Sequence, residues 1–175
     1  MAPDYFELFD LERKLSLDAR DLEQRFYTLS RKLHPDRFVN ATPAERERSL
    51  ESSALLNDAY RTLRDPIARA GYLLKLEGIE AGEASQAPPE LLEEVFELNE
   101  ALEQARNGGE AARPQLERDQ QRFLSLLGEA GSQIDALAVR FDRGDRTALD
   151  ELRAVLVRRR YISNLLAQVD HVLVP

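Results

Sequence analysis

The chain has 175 residues, of which 43% are apolar and 32% charged, and a formal net charge of −8. That is enough apolar material for one or two small domains with a core, and too much for a disordered tail. There is no cysteine and only two histidines, His34 and His171. Disulfides, thiolate zinc or iron–sulfur ligation and cysteine nucleophiles are therefore excluded, and no metal site or cofactor is expected.

No apolar run approaches the ~20 residues that span a bilayer. The first ten residues, MAPDYFELFD, are acidic, unlike the basic start of a signal peptide. A soluble, cytoplasmic protein with no membrane partner is expected.

Strand signals are missing, and helix punctuation is clear from end to end. Asp18 is placed to cap a helix whose Leu22, Phe26, Leu29 and Leu33 form one buried stripe at 4-3-4 spacing. The helix should stop at His34, because Pro35 disfavours helical geometry in the residue before it. Thr42-Pro43-Ala44-Glu45 reads as a new start, with threonine at N-cap, proline at N1 and Glu45 reaching back from N3. Leu56, Tyr60 and Leu63 of this helix should pack against the first stripe, making a hairpin. Asp65-Pro66 stops that helix and caps a short one running to about Leu76.

Gly, Ala, Ser and paired Pro at 78–89 mark a linker. Beyond it, Leu91, Val95, Leu98, Leu102 and Ala105 keep helical spacing until Asn107-Gly108-Gly109. Pro114 opens the next helix near N1. Its stripe is Leu116, Phe123, Leu127, Ala130, Ile134, Leu137 and Phe141, with Gln120 as the polar exception. Gly128 and Gly131 weaken it by about 1 kcal/mol each relative to alanine, which invites a bend. Gly144 closes it, and a last helix starts at Asp145 or Thr147 and runs through Leu152, Val155, Ile162, Leu166, Val169 and Leu173. The fold class is all-α, and the second part is a bundle of three antiparallel helices.

Charge divides the same way. Residues 1–76 hold 13 basic and 13 acidic side chains, whereas residues 77–175 hold 11 basic and 19 acidic. Residues 25–37 carry Arg25, Arg31, Lys32 and Arg37 against Asp36 alone, and residues 77–103 carry nine glutamates and no basic residue. Two surfaces of opposite sign suggest two different partners.

The sharp motif is His34-Pro35-Asp36, at the tip of the expected hairpin. On a helical wheel Arg25, Thr28, Arg31 and Lys32 fall on a face turned away from the apolar stripe. A loop with a rigid proline, an acid and an imidazole would then project beside four positive charges. The charges suit electrostatic steering toward an acidic patch, and Asp36 suits a charge-assisted hydrogen bond to a partner's arginine. A hydrolase using His34 as general base lacks a second acid or base placed by sequence.

The first part resembles the J domain of the DnaJ co-chaperone family. The likeness is carried by Tyr5-Phe6-Glu7-Leu8-Phe9, Phe26 to Phe38 around the His-Pro-Asp tripeptide, Asn57 to Leu63, Asp65-Pro66 and Arg69-Ala70. It implies an N-terminal J domain over residues 1–76, an antiparallel helical hairpin with flanking short helices. Arg25, Arg31, Lys32, His34, Pro35, Asp36 and Arg37 would dock on a DnaK-type chaperone and stimulate its ATPase.

Typical members continue into a Gly/Phe-rich stretch and CxxC repeats, which this chain lacks. Ser52 to Asn57 and Arg69 to Leu74, followed by a short linker and an acidic helical part, are similar to the HscB family of iron–sulfur cluster co-chaperones. That resemblance implies a linker at 77–89 and a client-binding domain at 90–175. It implies two partners, an HscA-like chaperone and the IscU-like scaffold protein, and no catalytic residue of the chain's own.

Leu92 and Phe96 form an extra apolar pair about 100° from the core stripe of their helix, flanked by Glu93, Glu97 and Glu100. Such a pair is either buried by a wide apolar face or offered to a partner. The family's scaffold-binding positions fall on Leu92, Glu93, Phe96, Glu97 and Glu100, with Arg160 and Tyr161 on the last helix. Two positions depart from the pattern: Glu93 stands where relatives can be apolar, and Phe96 replaces leucine, which shifts the apolar contact toward Phe96. Arg158-Arg159-Arg160 points around a helix rather than along one side and lies in an acidic part of the chain, so no nucleic-acid partner is expected. Pairing with the glutamates of helix 90–106 is the expected use of these arginines.

Overall fold

The computed structural model describes residues 4–80, 82, 89–107 and 110–173. Among these the chain is helical without strands: α1 (Tyr5–Leu8), α2 (Ala19–Leu33), α3 (Pro43–Arg64), α4 (Pro66–Leu76), α5 (Leu92–Arg106), α6 (Arg113–Asp142) and α7 (Ala148–Leu173). No described helix is long and apolar enough to cross a membrane. The chain forms two compact units. Unit 1 is Met1–Gly78 with Ala138–Arg146, and unit 2 is Ile79–Leu137 with Thr147–Pro175.

The helix boundaries of unit 1 follow local side-chain chemistry. Asp18 accepts the Arg20 and Asp21 amides at the start of α2. Thr42 and Glu45 close a reciprocal capping box with Pro43 in the first turn of α3. Asp65 accepts the Ala68 amide and caps α4. The α2–α3 hairpin is zipped by stacked Phe26 and Tyr60 rings, 4.2 Å between centroids, and closed by Leu22, Leu56, Ala59 and Leu63. On α1, Phe6 and the following Phe9 are fully buried with Leu73 and Leu74 of α4. Tyr5 stacks on Tyr72, whose hydroxyl accepts the Tyr5 amide at 2.9 Å.

Two long-range polar contacts hold the loop that leads into α2. Arg69 is buried and donates from Nε to the Leu15 carbonyl at 2.8 Å and from Nη1 to the Leu63 carbonyl. Asp142 accepts the Leu15 and Ser16 amides at 2.8 and 2.7 Å, one on each carboxylate oxygen. Gly144 then turns the chain at φ +95, its amide on the Phe141 carbonyl and the Asp145 amide on the Arg140 carbonyl.

Unit 2 packs α5, α6 and α7 about one core containing Leu91, Leu98, Leu102, Leu116, Phe123, Ile162 and Val169. The polar exception Gln120 is answered by Asp170 of α7, at 2.6 Å. The expected stripes hold, with Ala101, Leu126 and Leu165 as further core members. The helix expected from residue 90 begins with a 3-10 turn over Pro89–Leu91, so α5 itself opens at Leu92. Pro114 falls one residue later than expected, because α6 begins at Arg113. Through Gly128 and Gly131 α6 stays unbroken. Most of the expected linker, like Gly108-Gly109, lies outside the described residues.

Candidate functional site

Each unit carries one surface on which residues singled out in the sequence converge. In unit 1 this is the end of α2. His34 leaves helical geometry at φ −60, ψ 129, as the following proline requires, and caps a 3-10 turn over Pro35–Phe38. Its Nδ1 accepts the Asp36 amide at 3.2 Å, and its carbonyl accepts the Arg37 amide at 3.0 Å. An accepting Nδ1 places the proton of the neutral ring on Nε2, which is free to donate outward. Arg37 donates back to the Arg31 carbonyl at 3.3 Å. Ser49 of α3, buried, donates to the Leu33 carbonyl at 2.9 Å and satisfies one of the orphan acceptors at the end of α2.

The turn is therefore held through its backbone, and the Asp36 carboxylate stays out. The Asp36 side chain is 86% exposed, with His34 Nδ1 3.5 Å from Oδ2. Arg31, Lys32 and Arg37 are exposed around it. Tyr27, 56% exposed, joins Arg31 on the same face of α2. Its position on the helical wheel, outside the apolar stripe and one turn before Arg31, was the signal for it.

Arg25 departs from the expectation of a solvent-facing charge. It is partly buried, donates from Nη1 to the Phe9 and Asp10 carbonyls at 2.9 Å each, and pairs from Nε with Asp21 at 2.9 Å. Asp10 sits at φ +52 just after α1, a conformation aspartate tolerates, and this aims its carbonyl at Arg25. Arg25 thus ties α1 to α2 and forms one wall of a shallow groove with Gln24, Thr28 and Lys32. Arg25→Ala should cost about 1–2 kcal/mol of stability, as expected for a charged donor on two carbonyls. Arg31→Ala and Lys32→Ala should stay within about 0.5 kcal/mol. Urea denaturation of the three variants checks this, and equal stability of all three would remove the structural role.

In unit 2 the surface lies on α5. Leu92 and Phe96 are 57% and 66% exposed, so the wide-apolar-face alternative is not what the fold does with them. Glu93, Glu97 and Glu100 beside them are also exposed. Glu94 pairs with Arg122 of α6 at 3.3 Å, a cation other than the expected arginines of α7. On α7 Arg160 is exposed, whereas Tyr161 is half-buried against the unit's core and presents only part of its ring. Among the described residues no three His, Asp or Glu side chains converge as metal ligands.

Comparison with known proteins bears on both units. Residues 87–170 match the family described as HSCB C-terminal oligomerisation domain. The mouse iron–sulfur cluster co-chaperone protein HscB is 34% identical over 164 residues, 93% of this chain, and the chain spans 65% of that protein's length. The co-chaperone protein HscB homolog of Azoarcus sp. (strain BH72) is 35% identical over 173 residues, covering 97% of this chain and 93% of the relative. The crystal structure of human co-chaperone protein HscB superposes with a TM-score of 0.72 at 32% identity, covering 99% of this chain and 84% of that one.

Proposed function

The chain belongs to the HscB family of iron–sulfur cluster co-chaperones, and from that premise we propose that it links an HscA-like, DnaK-type chaperone to an IscU-like scaffold protein. In this reading residues 1–76 act as the J domain that stimulates the chaperone's ATPase, and residues 90–175 carry the scaffold. The chain performs no catalysis itself.

The observation that carries the proposal is the His34–Arg37 turn. The Asp36 and Arg37 amides are both held by His34, and the turn's one acid is exposed among exposed cations. Arg31, Lys32 and Arg37 steer the encounter with an acidic patch, acting mainly on the association rate and weakening with salt. Asp36 supplies a charge-assisted bond to the chaperone once docked. Pro35 sets the turn and His34 holds it. The Leu92/Phe96 pair with Glu93, Glu97 and Glu100 supports scaffold binding, with Arg160 and the exposed part of Tyr161 as further contacts. Holding a client and an ATPase-stimulating module on one chain raises the client's effective concentration at the chaperone, which yields synergy without new chemistry.

The test is steady-state ATP hydrolysis by HscA with this protein, with IscU, and with both. More-than-additive stimulation by the pair is expected. Stimulation indifferent to IscU would keep the ATPase half and remove the scaffold half.

A further inference from the structure

Unit 1 is not built from the front of the chain alone. It takes in Ala138–Arg146, the end of α6 and the turn after it, far along the sequence from Gly78. This segment is braced within the unit. Arg140 donates from Nε to Asp145 at 2.9 Å, and Arg146 pairs with Glu77 while its guanidinium lies 5.9 Å from the centre of the Phe141 ring. Asp142, in the middle of it, is therefore presented from a fixed frame.

Asp142 meets the segment between α1 and α2 at Leu15 and Ser16, one amide on each carboxylate oxygen, at 2.8 and 2.7 Å. The Leu15 side chain is buried, and the Leu15 carbonyl takes Arg69 Nε at 2.8 Å. The same guanidinium reaches the Leu63 carbonyl in the last turn of α3, an acceptor with no partner inside its own helix. Asp142, Leu15, Arg69 and Leu63 thus make one chain of hydrogen bonds. It joins the segment just ahead of the Asp18 cap of α2 to the end of α3. That is the open end of the α2–α3 hairpin, opposite the His34–Arg37 turn. Of the four residues only Asp142 lies outside residues 1–76, and its two bonds are both charge-assisted.

Resting on the ATPase-stimulating reading above, we propose that Asp142 is a positioning residue for chaperone docking: it closes a clasp at the base of the hairpin and holds α2 in the pose that presents Arg31, Lys32 and the turn. Without the carboxylate, the Leu15 and Ser16 amides lose their acceptors together, and the segment that fixes where α2 begins can shift against α3 and α4. Docking-competent chains then become a fraction of the whole, and the apparent affinity for the chaperone falls by that fraction. The Asp36 carboxylate is untouched, so a chain that has docked stimulates as before.

Asp142→Asn keeps the size, removes the charge and turns one acceptor into a donor facing an amide. The full chain is assayed at a temperature where thermal melts show wild type and variant both folded. The concentration of variant giving half-maximal stimulation of the HscA ATPase should rise about tenfold. Maximal stimulation and IscU affinity should match wild type, and hydrogen exchange should show the Leu15 and Ser16 amides losing protection. A raised half-saturation beside an unchanged maximum is what lowered stability alone would not give. An unchanged half-saturation, a fall in the maximum instead, or Leu15 and Ser16 amides that stay protected overturns the positioning role while the stimulation reading stands. A variant unfolded at every assay temperature makes Asp142 a residue of stability and overturns it too. Failure of the wild type to stimulate HscA overturns both.

Discussion

Asp36→Asn should remove stimulation of the HscA ATPase almost entirely, while the melting temperature and the affinity for IscU stay at wild-type values. The expectation rests on how the His34–Arg37 turn is built. Every contact that shapes it uses backbone atoms or groups other than the Asp36 carboxylate: the His34 ring on the Asp36 amide, Arg37 on the Arg31 carbonyl, Ser49 on the Leu33 carbonyl. The carboxylate itself is 86% exposed and lies 3.5 Å from the His34 ring. Exchanging it for an amide should therefore change stability by no more than about 0.5 kcal/mol. What it removes is a charged acceptor, and a hydrogen bond to a charged group contributes about 1.5–3 kcal/mol, so a bond made in the activating complex translates to a loss of about 10- to 100-fold in stimulation. Single-turnover and steady-state ATPase assays beside a thermal melt measure both sides. Full stimulation by the variant would sink the role assigned to Asp36, and a lowered melting temperature would show that the carboxylate is structural after all.

The punctuation of this fold was legible in the sequence because it is local. Asp18, the Thr42/Glu45 box and Asp65 act on amides within three residues, and the restriction imposed by Pro35 acts on its immediate neighbour. The apolar stripes were legible for the same reason, since a helix fixes which residues share a face. What escaped were contacts between residues far apart in the chain. Arg25 counts as a surface charge on a helical wheel, and only the carbonyls of Phe9 and Asp10 make it a tether. Gln120 was visible as an exception in its stripe, but its partner Asp170 is fifty residues away.

Ser49 stood in heptad register with Leu56 and Leu63, a polar residue at a core-facing position, and that was a signal for its bond to α2. Asp142 offered no such signal, because its partners are two backbone amides of a loop near the start of the chain. The same division runs through the surface of unit 2. The displacement of Leu92 and Phe96 from the core stripe follows from spacing, whereas the enclosure of an Asp119 oxygen depends on α6 lying against α5.

The second large effect concerns that apolar pair. Leu92→Ala/Phe96→Ala should reduce IscU affinity by about 100-fold or more while leaving unit 2 folded, because the two side chains keep 57% and 66% of their surface in solvent. Little apolar area is returned to water by truncating them, so the stability cost should stay near about 1 kcal/mol in total. Leu98→Ala, two residues from Phe96 and fully buried in the same helix, should cost about 2–5 kcal/mol by leaving a cavity. An apolar anchor buried only on association behaves oppositely: its truncation leaves the free protein intact and costs about 2 kcal/mol or more of binding per hot-spot side chain. Gln121, exposed on α6, supplies a control as Gln121→Ala, which should leave affinity and stability unchanged. Titration calorimetry with IscU and thermal melts of the four proteins separate these cases. If the double variant binds IscU as tightly as wild type, the pair is surface without a partner and the client must dock elsewhere. If it instead melts as low as Leu98→Ala, the two side chains belong to the core of unit 2 and the exposed ridge has been misassigned.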